Sequence, residues 1–175
     1  HVATIDGIAF FNDSKATNVA AAARGVEAFD GRVLVILGGR YKGGDFALLA
    51  PRLRARGSRV LAIGEARERI AVTLGAEVSV DACSGLGEAV ERAFALAVPG
   101  DTVLLSPACS SFDMFRDYAE RGRQFKEEVR RLQRKAGGEE SETGGPDARS
   151  GGLRSASPGF TPGDAGIDED PERGR

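Results

Sequence analysis

Apolar and polar positions along the chain follow two rhythms that take turns. Short runs rich in Val, Ile, Leu and Phe stand at residues 2–5, 8–11, 33–37, 60–63, 78–80 and 102–105, bounded by Gly, Asp or Pro. Runs of that length and composition read as strands. Between them, apolar residues recur every three or four positions at 18–28, 47–55, 66–74, 86–97 and 113–131, the spacing of amphipathic helices. Val33-Leu34-Val35-Ile36-Leu37 is apolar at every position, as expected of a central strand covered by helices on both faces. Asp6-Gly7 separates the first two runs by the two residues of a tight hairpin. In the last helical stretch Phe115, Tyr118, Phe125, Val129 and Leu132 share one face, and Glu120, Arg123, Glu127 and Arg130 take the other. Pro51 belongs in the first turn of its helix, where its missing N–H costs least. The pattern predicts an α/β, Rossmann-like three-layer domain with a mostly parallel six-stranded sheet and an amino-terminal hairpin.

Composition alters this picture at residue 136. From there to 175 the chain holds ten Gly, four Pro, nine acidic and four basic residues, with Leu153, Phe160 and Ile167 the only large apolar side chains. Three isolated apolar groups cannot offset an ordering cost of roughly 1 to 2 kcal/mol per residue, so a disordered acidic tail at 136–175 is expected behind a folded domain at 1–135. The whole chain carries 24 basic and 26 acidic residues, a formal charge of -2, so the domain without its acidic tail is mildly basic. That balance suits an anionic ligand. No dense Lys/Arg stripe interleaved with aromatics is present, which argues against a nucleic-acid partner. No stretch approaches the ~18 apolar residues of a membrane span and no secretory pattern opens the chain, so a cytoplasmic protein without a membrane partner is expected.

Cys83, Cys109 and His1 are the only residues of their types. Zinc clusters, Ser/His/Asp triads and disulfide frameworks are therefore poorly supplied, no resident metal is expected, and both cysteines read as buried and inert. Chemistry falls to Lys, Ser, Thr, Asp and backbone amides.

Open α/β sheets bind ligands at the carboxyl ends of their strands, which singles out three segments. Residues 12–18 read Asn12-Asp13-Ser14-Lys15-Ala16-Thr17-Asn18, an acid, a lysine and two hydroxyls at a strand-to-helix junction whose free N–H groups favour an anion. The same residues fit a plainer role, with Asp13 or Ser14 as the helix cap and Lys15 solvated. Residues 38–45 place two Gly pairs around Lys42. Backbone amides that approach closely and one point charge outline an anion site, although a tight turn alone would also use those glycines. No Gly in the chain is followed by Lys and then Ser or Thr, so this is not a γ-phosphate cradle of the Walker type. Residues 106–113 are small and hydroxyl-rich, presenting Ser110 or Ser111 to a carboxylate near the next helix start. With no base in reach, neither these serines nor Cys109 reads as a nucleophile.

Taken together, residues 12–18, Leu37-Gly38-Gly39-x-x-Lys42-x-x-Asp45-Phe46 and Leu104-Leu105-Ser106-Pro107-Ala108-Cys109-x-Ser111, followed by Phe115 and Arg121-Gly122-x-x-Phe125, resemble the carboxyl-terminal domain of the Mur ligases over about residues 2–132. The resemblance implies a monomeric, cytoplasmic, ATP-dependent amide ligase of peptidoglycan synthesis that joins D-glutamate to UDP-N-acetylmuramoyl-L-alanine through an acyl phosphate. It implies that Thr17, Lys42, Ser111, Phe112 and Tyr118 hold D-glutamate, that Asn12 and Asp13 contact ATP, and that Lys15 acts beside the reacting groups. Phe112 and Tyr118 stand where the family pattern has Leu and Phe, so the apolar wall keeps its character and changes its shape. ATP and Mg2+ are the implied cofactors, bound mainly by two preceding domains whose phosphate loop, magnesium ligands, carbamylated lysine and UDP-sugar site have no counterpart here. The chain starts where the third domain starts and is expected neither to hydrolyse ATP nor to ligate alone. Two readings compete: the glutamate-adding domain of a folylpolyglutamate synthetase, against which Ser106-Pro107-Ala108-Cys109 argues, and a non-catalytic α/β module that binds small anions.

Overall fold

A computed structural model describes residues 1–142. Strands β1 (Ala3–Ile5) and β2 (Ile8–Asn12) form the expected hairpin, with Asp6 at φ 50° and Gly7 at φ 76° supplying the left-handed turn that matches strand twist. Strands β3 (Val33–Gly38), β4 (Arg59–Ile63), β5 (Ser79–Ala82) and β6 (Thr102–Leu105) complete a six-stranded sheet in the order β1-β2-β6-β3-β4-β5. Every neighbouring pair except β1–β2 is parallel.

Alternation along β3 sorts the core into two layers. Val33, Val35 and Leu37 pack with helices α1 (Val19–Glu27), α2 (Ala50–Ala55) and α3 (Arg67–Leu74), the second entered through a 3-10 turn at Phe46–Leu49. Leu34 and Ile36 face the other way, toward α4 (Leu86–Leu96) and α5 (Tyr118–Glu142), where Phe125 and Val129 are fully buried. Both faces of β3 are covered, which is why no polar residue interrupts it. Pro51 falls in the first turn of α2, as expected. Among the described residues no helix is long and apolar enough to cross a membrane.

The final helix differs from its sequence reading at both ends. It begins at Tyr118 rather than at 113, because Asp117 Oδ1 accepts the Glu120 N–H at 2.6 Å and Glu120 Oε2 accepts the Arg116 N–H at 2.7 Å, a reciprocal arrangement that starts a helix there. It runs as far as Glu142, the last described residue, past the expected helix end at 131. The reason is the apolar stripe: Ala136, four residues after Leu132, is half-buried against the same core layer. Of the expected acidic tail, residues 143–175 lie outside the described residues.

Two stabilising devices lead to testable outcomes. Asn18 caps α1, its side chain accepting the Ala21 N–H at 2.8 Å. Asn18→Ala is expected to lower stability by about 1 kcal/mol, read as a shift in urea midpoint at unchanged slope. On edge strand β5, Asp81 is 11% exposed and accepts from Arg59 at 2.8 Å and from Arg92 at 2.9 Å. Burial pushes its pKa up, and the two guanidiniums more than offset this, so the carboxyl titrates below its ordinary value. A depressed folded-state pKa gives stability that is complete above the ordinary carboxylate range and declines as pH falls through the lowered value. Asp81→Asn is therefore expected to reduce stability at neutral pH by about 1 kcal/mol and to flatten the acid limb of a pH–melting curve, the arginines' exposure keeping the effect small.

Candidate functional site

Strands β2, β6 and β3 lie side by side and parallel, so the three singled-out segments leave the sheet on one edge. Asn12 and Ile36 both pair with Leu105 across the sheet. The three exits thus fall within two strand spacings, about 10 Å. The chain runs outward from β3 to β4 and β5 and then returns to the other side of β3 as β6. That reversal between β3 and β6 is the switch point at whose carboxyl edge open α/β sheets place ligands.

Residues 106–113 stitch the other two segments together. Ser106 Oγ donates to Asp13 Oδ2 at 3.1 Å, and the Ala108 N–H donates to the Ala16 carbonyl at 2.9 Å. On the other side the Gly38 N–H donates to the Pro107 carbonyl at 2.8 Å, while Arg40 and Ser110 exchange backbone bonds of 2.9 and 3.2 Å. Ala108 sits at φ 59°, left-handed for a residue with a side chain, and costs of order 1 kcal/mol that these bonds sustain.

Helix α5 closes the rim from below. The Ser14 hydroxyl donates to the Tyr118 carbonyl at 2.8 Å, and the Asn12 amide donates to the Gly122 carbonyl at 3.1 Å. A Cβ on Gly122 would lie 3.0 Å from the Asn12 amide nitrogen and 3.3 Å from Ser14 Cβ, so any larger residue would have to push these neighbours back by a few tenths of an ångström. The cap expected at Asp13 or Ser14 belongs instead to Asn18. Ser14 is committed to α5, because its hydroxyl meets the helix backbone before the first turn of α1 begins.

Asn12, Asp13, Lys15 and Tyr118 line one cavity of about 340 Å3, together with Arg123 and Lys126. Lys15 is exposed and also borders, with Asp13 and Arg24, a second cavity of about 430 Å3 toward α1. Thr17 is half-buried in the same segment. Elsewhere on the rim Lys42 Nζ lies 5.5 Å from the centroid of the Phe112 ring, which is 58% exposed, and Ser111 beside it is buried. Sequence reasoning placed Tyr118 on the buried face of α5. Its ring is exposed, and it borders the cavity of Asn12, Asp13 and Lys15 rather than sharing a contact with Lys42.

Arg121 takes the buried position instead. It has no exposed surface, donates from Nε to the Ser14 hydroxyl at 2.9 Å, from Nη2 to the Ser14 carbonyl at 2.8 Å and from Nη1 to the Cys109 carbonyl at 3.2 Å. No role was read for it from the chain, yet the signal was there: it stands four residues before Phe125 on the apolar stripe, where a solvated charge does not belong. Arg123, assigned to the solvent face, is exposed and borders the cavity with Lys126.

Titration behaviour separates inert groups from useful ones. Burial pushes the Cys109 thiol up to about 12 and the Cys83 thiol up to about 11, so neither supplies a thiolate at neutral pH. Burial pulls Arg121 down to about 10, still protonated at neutral pH. The described residues hold no group of three or more His, Cys, Asp or Glu suited to a metal ion. Their donor set does not fit a Mg2+ site.

Fold and rim together define an α/β domain that gathers cations, hydroxyls and amides at the switch point of its sheet. Residues 1–109 match the family described as Mur ligase, glutamate ligase domain. A protein of Chlorobium phaeobacteroides named UDP-N-acetylmuramoylalanine--D-glutamate ligase is 49% identical over 126 residues, 72% of this chain and 27% of that protein. A protein of the same name from Acidobacterium capsulatum is 48% identical over 128 residues, 73% of this chain and 28% of that one. This chain spans under a third of the length of those relatives. A solved domain from Haemophilus ducreyi 35000HP, of a protein assigned as UDP-N-acetylmuramate:L-alanyl-gamma-D-glutamyl-medo-diaminopimelate ligase, superposes with a TM-score of 0.51 at 16% identity, covering 77% of this chain and 95% of that one. That likeness confirms the fold. The chain belongs to the Mur ligase family, as a glutamate ligase domain.

Proposed function

We propose that this domain captures D-glutamate for a cytoplasmic, ATP-dependent ligase that joins it to UDP-N-acetylmuramoyl-L-alanine through an acyl phosphate, forming a C–N bond in peptidoglycan synthesis. The observation that carries the reading is the convergence of the three segments on one edge, stitched together by residues 106–113. Turns on opposite sides of the sheet could not grip one small dicarboxylate.

In this reading Lys42 supplies the charge for one carboxylate, Thr17 and Ser111 supply hydroxyl donors, and Phe112 forms an apolar wall that Lys42 already covers. Tyr118, which lines the neighbouring cavity, would reach the amino acid only from the α5 side. ATP fits the chemistry of the neighbouring cavity: Lys15, Arg123 and Lys126 are cations among its lining groups, and Asp13 is a carboxylate able to accept from ribose hydroxyls. ATP would supply the phosphoryl group that activates the acceptor carboxylate. Asn12 is better suited to holding the cavity's shape, since its amide already bonds Gly122 and Ser14. Lys15, exposed at the cavity mouth, is placed to balance negative charge on the reacting groups.

No Gly-Lys-Ser/Thr phosphate loop occurs in these 175 residues, so the γ-phosphoryl and Mg2+ are assigned to groups outside them, and the chain alone is expected to release no phosphate. Titrating D- and then L-glutamate into the 175-residue chain, while following the backbone amide signals of Lys42 and Ser111, tests the reading. Shifts that saturate with D-glutamate at concentrations where L-glutamate has little effect are expected. Silence toward both, or no preference between them, would remove D-glutamate capture and favour a generic small-anion module.

A further inference from the structure

We propose that Arg121 is the positioning residue of this rim: its guanidinium, buried beneath all three segments, sets the separation at which they face the amino acid. The inference rests on the D-glutamate reading for its functional consequence, but its geometry stands apart from it. Two of the segments bond the same planar group and the third lies against it. Ser14, between Asp13 and Lys15, offers both its hydroxyl and its carbonyl, and Cys109, two residues before Ser111, offers its carbonyl. Gly39, three residues before Lys42, packs so closely that a Cβ there would lie 3.3 Å from Nη1.

Among the described residues this buried cation forms no ion pair: its direct partners are two carbonyls and a hydroxyl, and the Asp113 carboxylate acts on it only from farther off. A charge kept out of water with such partners is not the most stabilising choice, because a well-packed apolar residue often serves stability as well or better. What a planar fork provides and an apolar chain cannot is fixed direction at several acceptors at once. The three acceptor atoms come from segments 107 and 12 residues away in sequence, so Arg121 ties together parts of the rim that their own strands position only at the base. Its positive charge also lies under a rim that takes anions, which adds attraction without occupying the site.

Arg121→Lys and Arg121→Met in the full chain separate direction from charge and from packing. Amide hydrogen exchange needs no ligand: at Ala108, Arg40 and Ser110 it is expected to accelerate at least tenfold in both variants, while Ile36 and Leu104 in the central strands keep their protection. D-glutamate binding, read from the Lys42 and Ser111 amide shifts, is expected to weaken at least tenfold in both, with no rescue by lysine. Rescue by lysine alone would mean that charge, not direction, is what matters and would overturn the inference, as would uniform acceleration across rim and core. If wild type loosens at the rim on substitution yet never binds D-glutamate, the positioning role stands and the ligase reading falls. If wild type binds and both variants bind equally, the reverse holds. Should both variants fail to fold, Ser14→Ala carries the test, since it deletes only the hydroxyl between Arg121 and Tyr118. A several-fold faster exchange at Ala108 with an unchanged core supports the inference, and unchanged exchange at Ala108 overturns it.

Discussion

A Gly39→Ala chain is expected to lose roughly 3 kcal/mol or more of stability, from left-handed strain and overpacking acting together. Gly39 adopts φ 128° immediately after β3, and a Cβ there would overlap the Ser110 carbonyl oxygen and sit 3.2 Å from Cys109 Cβ. Neither neighbour can yield cheaply, because Ser110 is tied to Arg40 by a reciprocal backbone pair and Cys109 is buried. The seam between residues 38–45 and 106–113 should open, so D-glutamate binding should fail along with stability. Gly43 is the internal control, since it also has a positive φ, 96°, but nothing lies within 4 Å of its added Cβ. Gly43→Ala should therefore show the strain alone, of order 1 to 2 kcal/mol. Urea unfolding of the three chains decides the matter: equal losses at Gly39 and Gly43 would mean that the clash contributes nothing.

Lys42→Ala is expected to weaken D-glutamate binding by roughly 10- to 150-fold, the equivalent of losing one charge-assisted contact of about 1.5 to 3 kcal/mol. Stability should change by no more than about 0.5 kcal/mol, because Lys42 is exposed and its one aromatic contact is an open cation–π pair. That separation of binding from stability distinguishes Lys42 from Gly39 and Arg121. Phe112→Leu keeps an apolar wall and removes the π face, so it should cost far less than loss of the ammonium. Isothermal titration of D-glutamate into each variant measures both. Wild-type affinity in the Lys42→Ala chain would take this lysine out of the receptor.

The chain by itself determined the architecture to a large degree. Six strands and five helices were legible because period-two and period-3.6 patterns are imposed by one-sided or two-sided burial, and β3, buried on both faces, carries no alternation at all. The three rim segments were legible too, because strand ends in a parallel sheet share an edge and glycines, lysines and hydroxyls collect there. Family membership follows from those same segments.

Three-dimensional packing decided the rest. The start of α5 moved to Tyr118 because two carboxylates cap it there, a choice between neighbouring polar residues that periodicity does not resolve. Ser14, a candidate cap, became a tie to α5, and Asn12 bonds the same helix, since their partners lie more than a hundred residues away. Tyr118 gave up its expected buried place to Arg121: the aromatic ring faces outward and the cation is buried, because only the folded rim offers carbonyls and a hydroxyl in the directions a guanidinium fork requires. A sequence records which groups are present and how often they recur, whereas the partner that makes a buried charge tolerable is fixed only when distant segments meet.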